Sequence, residues 1–297
     1  MKQIGIVVLL ALFSISSAFA GQAPATKKIA KATAAKPKAA APPPAASTQP
    51  KLPFEAYAVA DAADGKILEG LNVNLRWPQA SLTKLMLAVV VMDQIERGAL
   101  HLSDRVTVSR KAEGMGGSQV FLKAGETFSL DELMRAALVE SANDAAFAVA
   151  EHTAGSSDEF VKLMNAKARA LGMPDTEFHC VHGLPPAKGG VDNITTCNDM
   201  IRLAREALQH PQILEWTSIE HATFRSGTLS ISNKNKLVGR VPGVDGLKTG
   251  YTRRAGFNIV ATAKTGDRRL IVVVLGSPES KIRDRFAMEK FREHLTN

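Results

Sequence analysis

From residue 54 onward the hydrophobic and polar positions fall into two regimes, one of strand-like runs and one of helical periods. Phe54 to Ala60 is mostly apolar, Asp64-Gly65 supplies a tight turn and Lys66 to Leu68 returns, which predicts a strand pair. Trp77-Pro78-Gln79-Ala80 reads as loop. Ser81 to Arg97 carries a helical apolar pattern closed by Gly98, and Leu85 to Val90 is apolar on every side, which predicts a buried helix. Val106 to Ser109 predicts a short strand. From Ser129 to about Leu171 the text is helical, opened by a Ser129/Glu132 capping box and punctuated by Gly155 and Gly172. Asn198 to Leu208 predicts a further helix. Thr223 to Ser232, Gly246 to Thr252, Gly256 to Lys264 and Arg268 to Gly276 then alternate as strands. Thr265-Gly266-Asp267 is the turn between the last two, and Ile282, Phe286, Met288, Phe291 and Leu295 give the final helix a broad apolar face.

Helices interposed between sheet-forming segments predict an insertion rather than tandem domains. The expected fold is therefore α/β (α+β), a layered antiparallel sheet flanked by helices, with an all-helical lobe over approximately residues 110–210. No internal repeat is visible.

The first 51 residues follow other rules. Lys2, the apolar run Ile4 to Phe13 and Ala18-Phe19-Ala20 before Gly21 predict a secretory signal over residues 1–20. The run is well short of the ~20 residues that span a bilayer, so no stable membrane anchor is expected. Residues 21–50 hold 11 Ala, 6 Pro and 5 Lys, with Ile29 the one large apolar side chain. Such a stretch cannot offset its ordering entropy and reads, through residue 51, as a disordered linker. The folded unit is expected over 52–297.

Composition narrows the function. With 45% hydrophobic residues among 297, the chain is neither a disordered nor a collagen-like protein. Its formal net charge is +8, but residues 1–51 hold seven lysines and no acid, leaving +1 for residues 52–297. A nucleic-acid groove needs basic side chains on the folded part, so that class is set aside. Cys180 and Cys197 are the two cysteines. Export into an oxidising compartment would permit a disulfide between them, worth on the order of 3 kcal/mol, and the sequence leaves open whether it forms. With His179 and His182 they also offer zinc-type donors, in a spacing that fits no standard zinc pattern.

Three short segments carry candidate chemistry. Ser81-Leu82-Thr83-Lys84 opens the buried helix, and its i,i+3 spacing puts hydroxyl and amine on one face. Burial favours the neutral amine, a usable base, and a serine beside it at a helix N-terminus can attack a carbonyl. Amide donors there suit a developing oxyanion. Ser141-Ala142-Asn143 lies between two helices and, taken alone, reads as a helix cap ahead of Asp144 to Glu151. Lys248-Thr249-Gly250 sits in an extended segment, where Lys248 and Thr249 could face a carboxylate and Gly250 permits close approach. The second copy of this tripeptide, Lys264-Thr265-Gly266, precedes Asp267 at a bend and is ordinary turn chemistry.

Ser-x-x-Lys, Ser-x-Asn and Lys-Thr-Gly in this order match the signature of penicillin-binding proteins and class A β-lactamases. Gln119 to Leu122 with Gly125-Glu126, Leu138 to Ala146, Leu171-Gly172-Met173 and Val244 to Ala255 extend the likeness. Over 52–297 the chain resembles the D-alanyl-D-alanine carboxypeptidases among low-molecular-mass penicillin-binding proteins. The resemblance implies a β-lactamase/transpeptidase-like fold with the site between sheet and lobe. It implies Ser81 as acylated nucleophile, Lys84 as general base, and Ser141 and Asn143 as proton shuttle and amide holder. Lys248 and Thr249 would receive the substrate carboxylate, and the amides of Ser81 and Tyr251 would form the oxyanion hole. Arg283 matches an arginine that helps bind that carboxylate, though its residue type alone reads equally as an exposed charge at a helix start. The implied substrates are the peptidoglycan stem peptide and β-lactams, with no metal or organic cofactor and a periplasmic location. Many such proteins carry a further all-β domain and a C-terminal amphipathic helix. Here about 21 residues follow Gly276, so the last helix is expected to cover the sheet of a soluble enzyme. A D,D-endopeptidase differs only in substrate. A β-lactamase needs a Glu-x-x-Leu-Asn pattern, and Glu159 to Asn165 has the wrong spacing.

Overall fold

In a computed structural model that describes residues 52–187 and 189–295, the first strand pair forms where the alternation places it. The expected secretory signal and the linker over residues 21–51 lie outside the described residues. β1 (Ala56–Asp61) and β2 (Ile67–Leu71) meet across a turn with Gly65 at φ 77°. β3 (Trp77–Pro78) leads into a 3-10 turn at Ala80–Leu82 and then α1 (Thr83–Glu96). The inserted lobe opens with β4 (Arg105–Thr107), α2 (Arg110–Glu113), β5 (Thr127–Ser129) and α3 (Leu130–Arg135). A π-helical turn at Ala136–Glu140 joins α3 to α4 (Asn143–Ala154), followed by α5 (Ser157–Ala170). β6 (Ile194–Thr195), α6 (Cys197–Ala207) and α7 (Pro211–Thr217) complete it. The chain returns through β7 (His221–Phe224), β8 (Leu229–Ser232), β9 (Val244–Thr252), β10 (Gly256–Thr265), β11 (Arg268–Ser277) and α8 (Ser280–Leu295).

The five-stranded sheet has the order β2-β1-β11-β10-β9, so β9 is an edge strand. β1 pairs antiparallel with β11, Ala56 opposite Leu275, which closes the sheet around both ends of the insertion. Both faces of the sheet are covered. Alternate residues of a strand point to opposite faces; Ile271, Val273 and Leu275 pack toward α1 and the lobe. Leu270, Val272 and Val274 join Phe54, Tyr57, Ala287 and Phe291 beneath α8. That two-sided burial is why β10 and β11 read as continuous apolar runs. Helix α1 is buried from Thr83 to Met92, as its all-round apolar character requires.

The capping box at Ser129/Glu132 forms as expected. Several expectations are corrected. Thr223 to Ser232 is not one strand but a hairpin, broken where Arg225 (φ 55°), Ser226 (φ 51°) and Gly227 (φ 90°) turn left-handed. Trp77-Pro78, read as loop, pairs with Ile194 and Thr195, and the lobe also carries the β4–β5 ribbon. The open question of a disulfide is answered: both Cys180 and Cys197 are free thiols. Thr196 caps α6 through the Asp199 amide at 3.1 Å, which turns the adjacent Cys197 into the core. Cys180 instead accepts the Gly183 amide at 3.2 Å in a loop under Ser81. Nor do the histidines join them: His179 Nε2 lies 3.4 Å from Glu177, and His182 Nδ1 accepts the Leu184 amide at 3.1 Å.

Candidate active site

Ser81 sits in the 3-10 turn that starts α1, one helical turn before Lys84. Lys84 is fully buried, and its Nζ donates to Ser81 Oγ at 3.0 Å, Asn143 Oδ1 at 2.6 Å and the His182 carbonyl at 2.9 Å. Burial strips water from this amine and brings its pKa down to about 7. When it is neutral, its two N–H bonds can stay on Asn143 and His182, and its lone pair then faces the Ser81 hydroxyl. The site is thus poised to take that proton near neutral pH. His182 is pushed down to about 4, by burial and then by Lys84, so its ring stays neutral and adds no competing charge.

Ser141 and Asn143 come from the break between the π-helical turn and α4. Ser141 adopts φ 65° there, and no side-chain cap bond forms at Ala142, so the simple helix-cap reading of this segment fails. Instead Asn143 Nδ2 donates to the Gly116 carbonyl at 2.7 Å, and Ser141 Oγ accepts from Lys248 Nζ at 2.9 Å. Lys248 is 1% exposed and also donates to the Thr249 carbonyl at 2.9 Å. Burial, followed by the charges of Lys84, Lys234 and Arg283, holds it well below the usual lysine range. An incoming carboxylate would supply the missing countercharge.

Gly250 explains how edge strand β9 reaches the nucleophile. A Cβ there would lie 2.8 Å from the Gln79 carbonyl oxygen and 2.9 Å from the Ser81 nitrogen. The close approach that Gly250 permits is therefore to the turn bearing Ser81. Tyr251 follows, half-exposed and stacked on Phe257 with ring centroids 4.2 Å apart. Arg283 is buried, donating to the Asn258 carbonyl at 3.1 Å while Asp284 holds its other nitrogens. The reading of Arg283 as an exposed charge at a helix start is thereby excluded.

These groups converge on a cleft of about 250 Å³ lined by Ser81, Ser141, Thr249, Gly250, Tyr251 and Arg283. Lys84, Asn143 and Lys248 lie behind that surface. Ser118, Lys234, Phe257 and Ser280 also line the cleft and were missed from sequence. Gly116-Gly117 before Ser118 is a loop signal in the sequence, and Gly117 adopts φ 74°, but neither points to a cleft. Lys234, ion-paired with Glu140, sits in no motif. Glu159, considered for a β-lactamase, lies on α5 and pairs with Lys162 at 2.6 Å. Gly266 of the second Lys-Thr-Gly has φ 57° at the β10–β11 turn, as turn chemistry requires.

The chain resembles known proteins in sequence and fold. The sequence model of a family described as peptidase S11, D-alanyl-D-alanine carboxypeptidase, matches residues 44–279. Among similar proteins, the D-alanyl-D-alanine carboxypeptidase DacF of Bacillus subtilis is 37% identical over 240 residues, covering 77% of this chain and 61% of that protein. DacC of Escherichia coli is 38% identical over 241 residues, 79% of this chain and 59% of that protein. The chain thus spans about three-fifths of the length of these relatives. Penicillin-binding protein 6B from Escherichia coli aligns with TM-score 0.77 and 35% identity, over 86% of this chain and 81% of its own. Penicillin-binding protein D2 from Listeria monocytogenes, in its ampicillin-bound form, aligns with TM-score 0.72 and 31% identity, over 81% of this chain and 96% of its own. By fold, motif order and sequence, this chain belongs to the D-alanyl-D-alanine carboxypeptidase family, peptidase S11.

Proposed function

We propose that the protein is a serine D,D-carboxypeptidase that removes the terminal D-alanine from peptidoglycan stem peptides. The observation that carries this reading is the buried Lys84 amine 3.0 Å from Ser81 Oγ. Lys84 takes the hydroxyl proton while Ser81 attacks the carbonyl carbon between the two D-alanines. The tetrahedral oxyanion rests on the amides of Ser81 and Tyr251, brought together where β9 meets the 3-10 turn. The C–N bond breaks, and the departing D-alanine amine receives its proton by way of Lys84 and Ser141. Water, deprotonated by the same amine, hydrolyses the acyl ester and restores Ser81. Asn143 holds the amide of the bound stem. Lys248, Thr249 and Arg283 hold the terminal carboxylate. The chemistry needs no metal.

The same serine should react with penicillin. The ampicillin-bound form of the Listeria relative supports this, and the absence of a water-activating glutamate from the described cleft lining favours a long-lived adduct. Residues 1–20 would direct export and residues 21–51 would act as a spacer, placing residues 52–297 in the periplasm.

Intact-mass spectrometry after exposure to benzylpenicillin is the test. A persistent adduct of one penicillin on Ser81, absent from Ser81→Ala, is expected together with D-alanine release from pentapeptide. Rapid turnover of the drug without adduct would mark a β-lactamase and overturn the reading. Cleavage of cross-linked dimers in preference to pentapeptide would mark an endopeptidase.

A further inference from the structure

Ligand pockets usually run from roughly 300 to 1,000 Å³. The cleft beside Ser81, at about 250 Å³, is smaller, so it encloses only the end of a stem peptide. Whatever precedes the two D-alanines must lie on the rim. Of the large apolar side chains that the described residues leave exposed, Tyr251 lines the cleft and Phe121 stands on the loop forming one of its walls.

Phe121 is unusual in three respects. Its ring is 65% exposed while Val120 and Leu122 on either side are each 1% exposed. Its backbone has φ 56°, a conformation that bulky residues rarely adopt and that tends to persist at functional sites. Its flanks are held on both sides. The buried Asp144 carboxylate accepts the Val120 amide at 3.2 Å and the Leu122 amide at 3.0 Å. Arg225 Nη2 donates to the Phe121 carbonyl at 2.9 Å, with its other end on Glu126. The ring is therefore presented outward by a fixed frame.

That frame is continuous with the site. Asp144 adjoins Asn143, whose amide donates to the Ser118 carbonyl at 2.7 Å, and Ser118 lines the cleft. Three residues of chain span at most about 11 Å, so the Phe121 backbone stands within about that distance of Ser118 at the cleft wall.

We propose that Phe121 contacts substrate outside the cleft, its ring packing on the aliphatic side chain of the residue that precedes the D-alanyl-D-alanine terminus. This rests on the D,D-peptidase reading of Ser81. It makes Phe121 a determinant of which stem residue is preferred, through an apolar contact that glycine or alanine at that substrate position cannot make.

The experiment compares N-acetyl-norleucyl-D-alanyl-D-alanine with N-acetyl-alanyl-D-alanyl-D-alanine. The wild-type protein should favour the norleucyl peptide in kcat/KM by about fivefold to tenfold, roughly what half-burying three methylenes gains. Phe121→Asn keeps a residue that tolerates positive φ and removes the ring; its preference should fall within about twofold of unity. Phe121→Trp should retain the preference. Penicillin acylation of each variant reports that the Ser81 site is folded. An equal preference in wild type and Phe121→Asn, or none in wild type, overturns the proposal. Failure of wild type to acylate with penicillin would instead sink the underlying reading of Ser81.

Discussion

In the proposed reaction Lys84 serves as base because burial favours its neutral amine. Its folded pKa of about 7 lies below that of an unfolded lysine. The unfolded chain therefore binds more protons across that interval, and stability rises with pH through it. The amine costs stability fully below pH 7, and the cost fades toward the unfolded value. Lys84→Met should abolish acylation yet raise Tm by roughly 5 °C at pH 6, with a smaller gain at pH 10; differential scanning fluorimetry at the two pH values checks it. At Gly250 the added methyl of Gly250→Ala would meet the backbone of Gln79 and Ser81. That overpacking should cost about 2 kcal/mol in stability and at least about a hundredfold in acylation rate, measured by urea unfolding and by adduct formation. The pairing of Ser81 with Lys84 was legible in sequence because an i,i+3 spacing fixes which side chains share a helical face. Lys234 and Ser118 were not, since each is brought to the cleft by packing between segments distant in the chain. Arg283 was half legible: its position was marked, but a charge at a helix start looks the same buried or exposed.

Elements decide how these residues are held. The Ser141–Asn143 segment exists because the π-helical turn at Ala136–Glu140 ends abruptly, and its neighbour Asp144 ties the 118–122 loop to α4. Asp144→Ala removes a buried carboxylate that accepts three backbone amides, those of Val120, Leu122 and Ala145. The expected cost is about 3 kcal/mol, with acylation slowed at least about tenfold because the 120–122 segment that follows Ser118 loses its tie to α4. Urea midpoints and penicillin adduct rates measure both. The apolar periodicities revealed α1, β10, β11 and the capped start of α3, where pattern and burial agree. The β7–β8 hairpin was hidden because Arg225-Ser226-Gly227 lacks a two-residue turn signature. Cysteine count alone could not show that Thr196 directs Cys197 into the core.

At the scale of the whole molecule, β1 and β11 pair centrally, so the lobe inserted between them is pinned at both ends. This places Ser81 from one segment, Ser141 and Asn143 from the lobe, and Lys248 from the returning edge strand around one cleft. The Lys/Ala/Pro arm contributes no large apolar side chain besides Ile29. A chain beginning at residue 52 should therefore keep the Tm and penicillin acylation rate of a chain beginning at residue 21 within error.

All of this turns on a proton leaving Ser81 for a neutral amine. The second-order rate constant for acylation by benzylpenicillin, followed from pH 5.5 to 9.5, reads that amine directly in the free enzyme. It should climb about tenfold per pH unit below the transition, level off above pH of about 7, and vanish in Lys84→Met. A profile flat across the range, or one still rising at pH 9.5 as an ordinary lysine would give, contradicts the account.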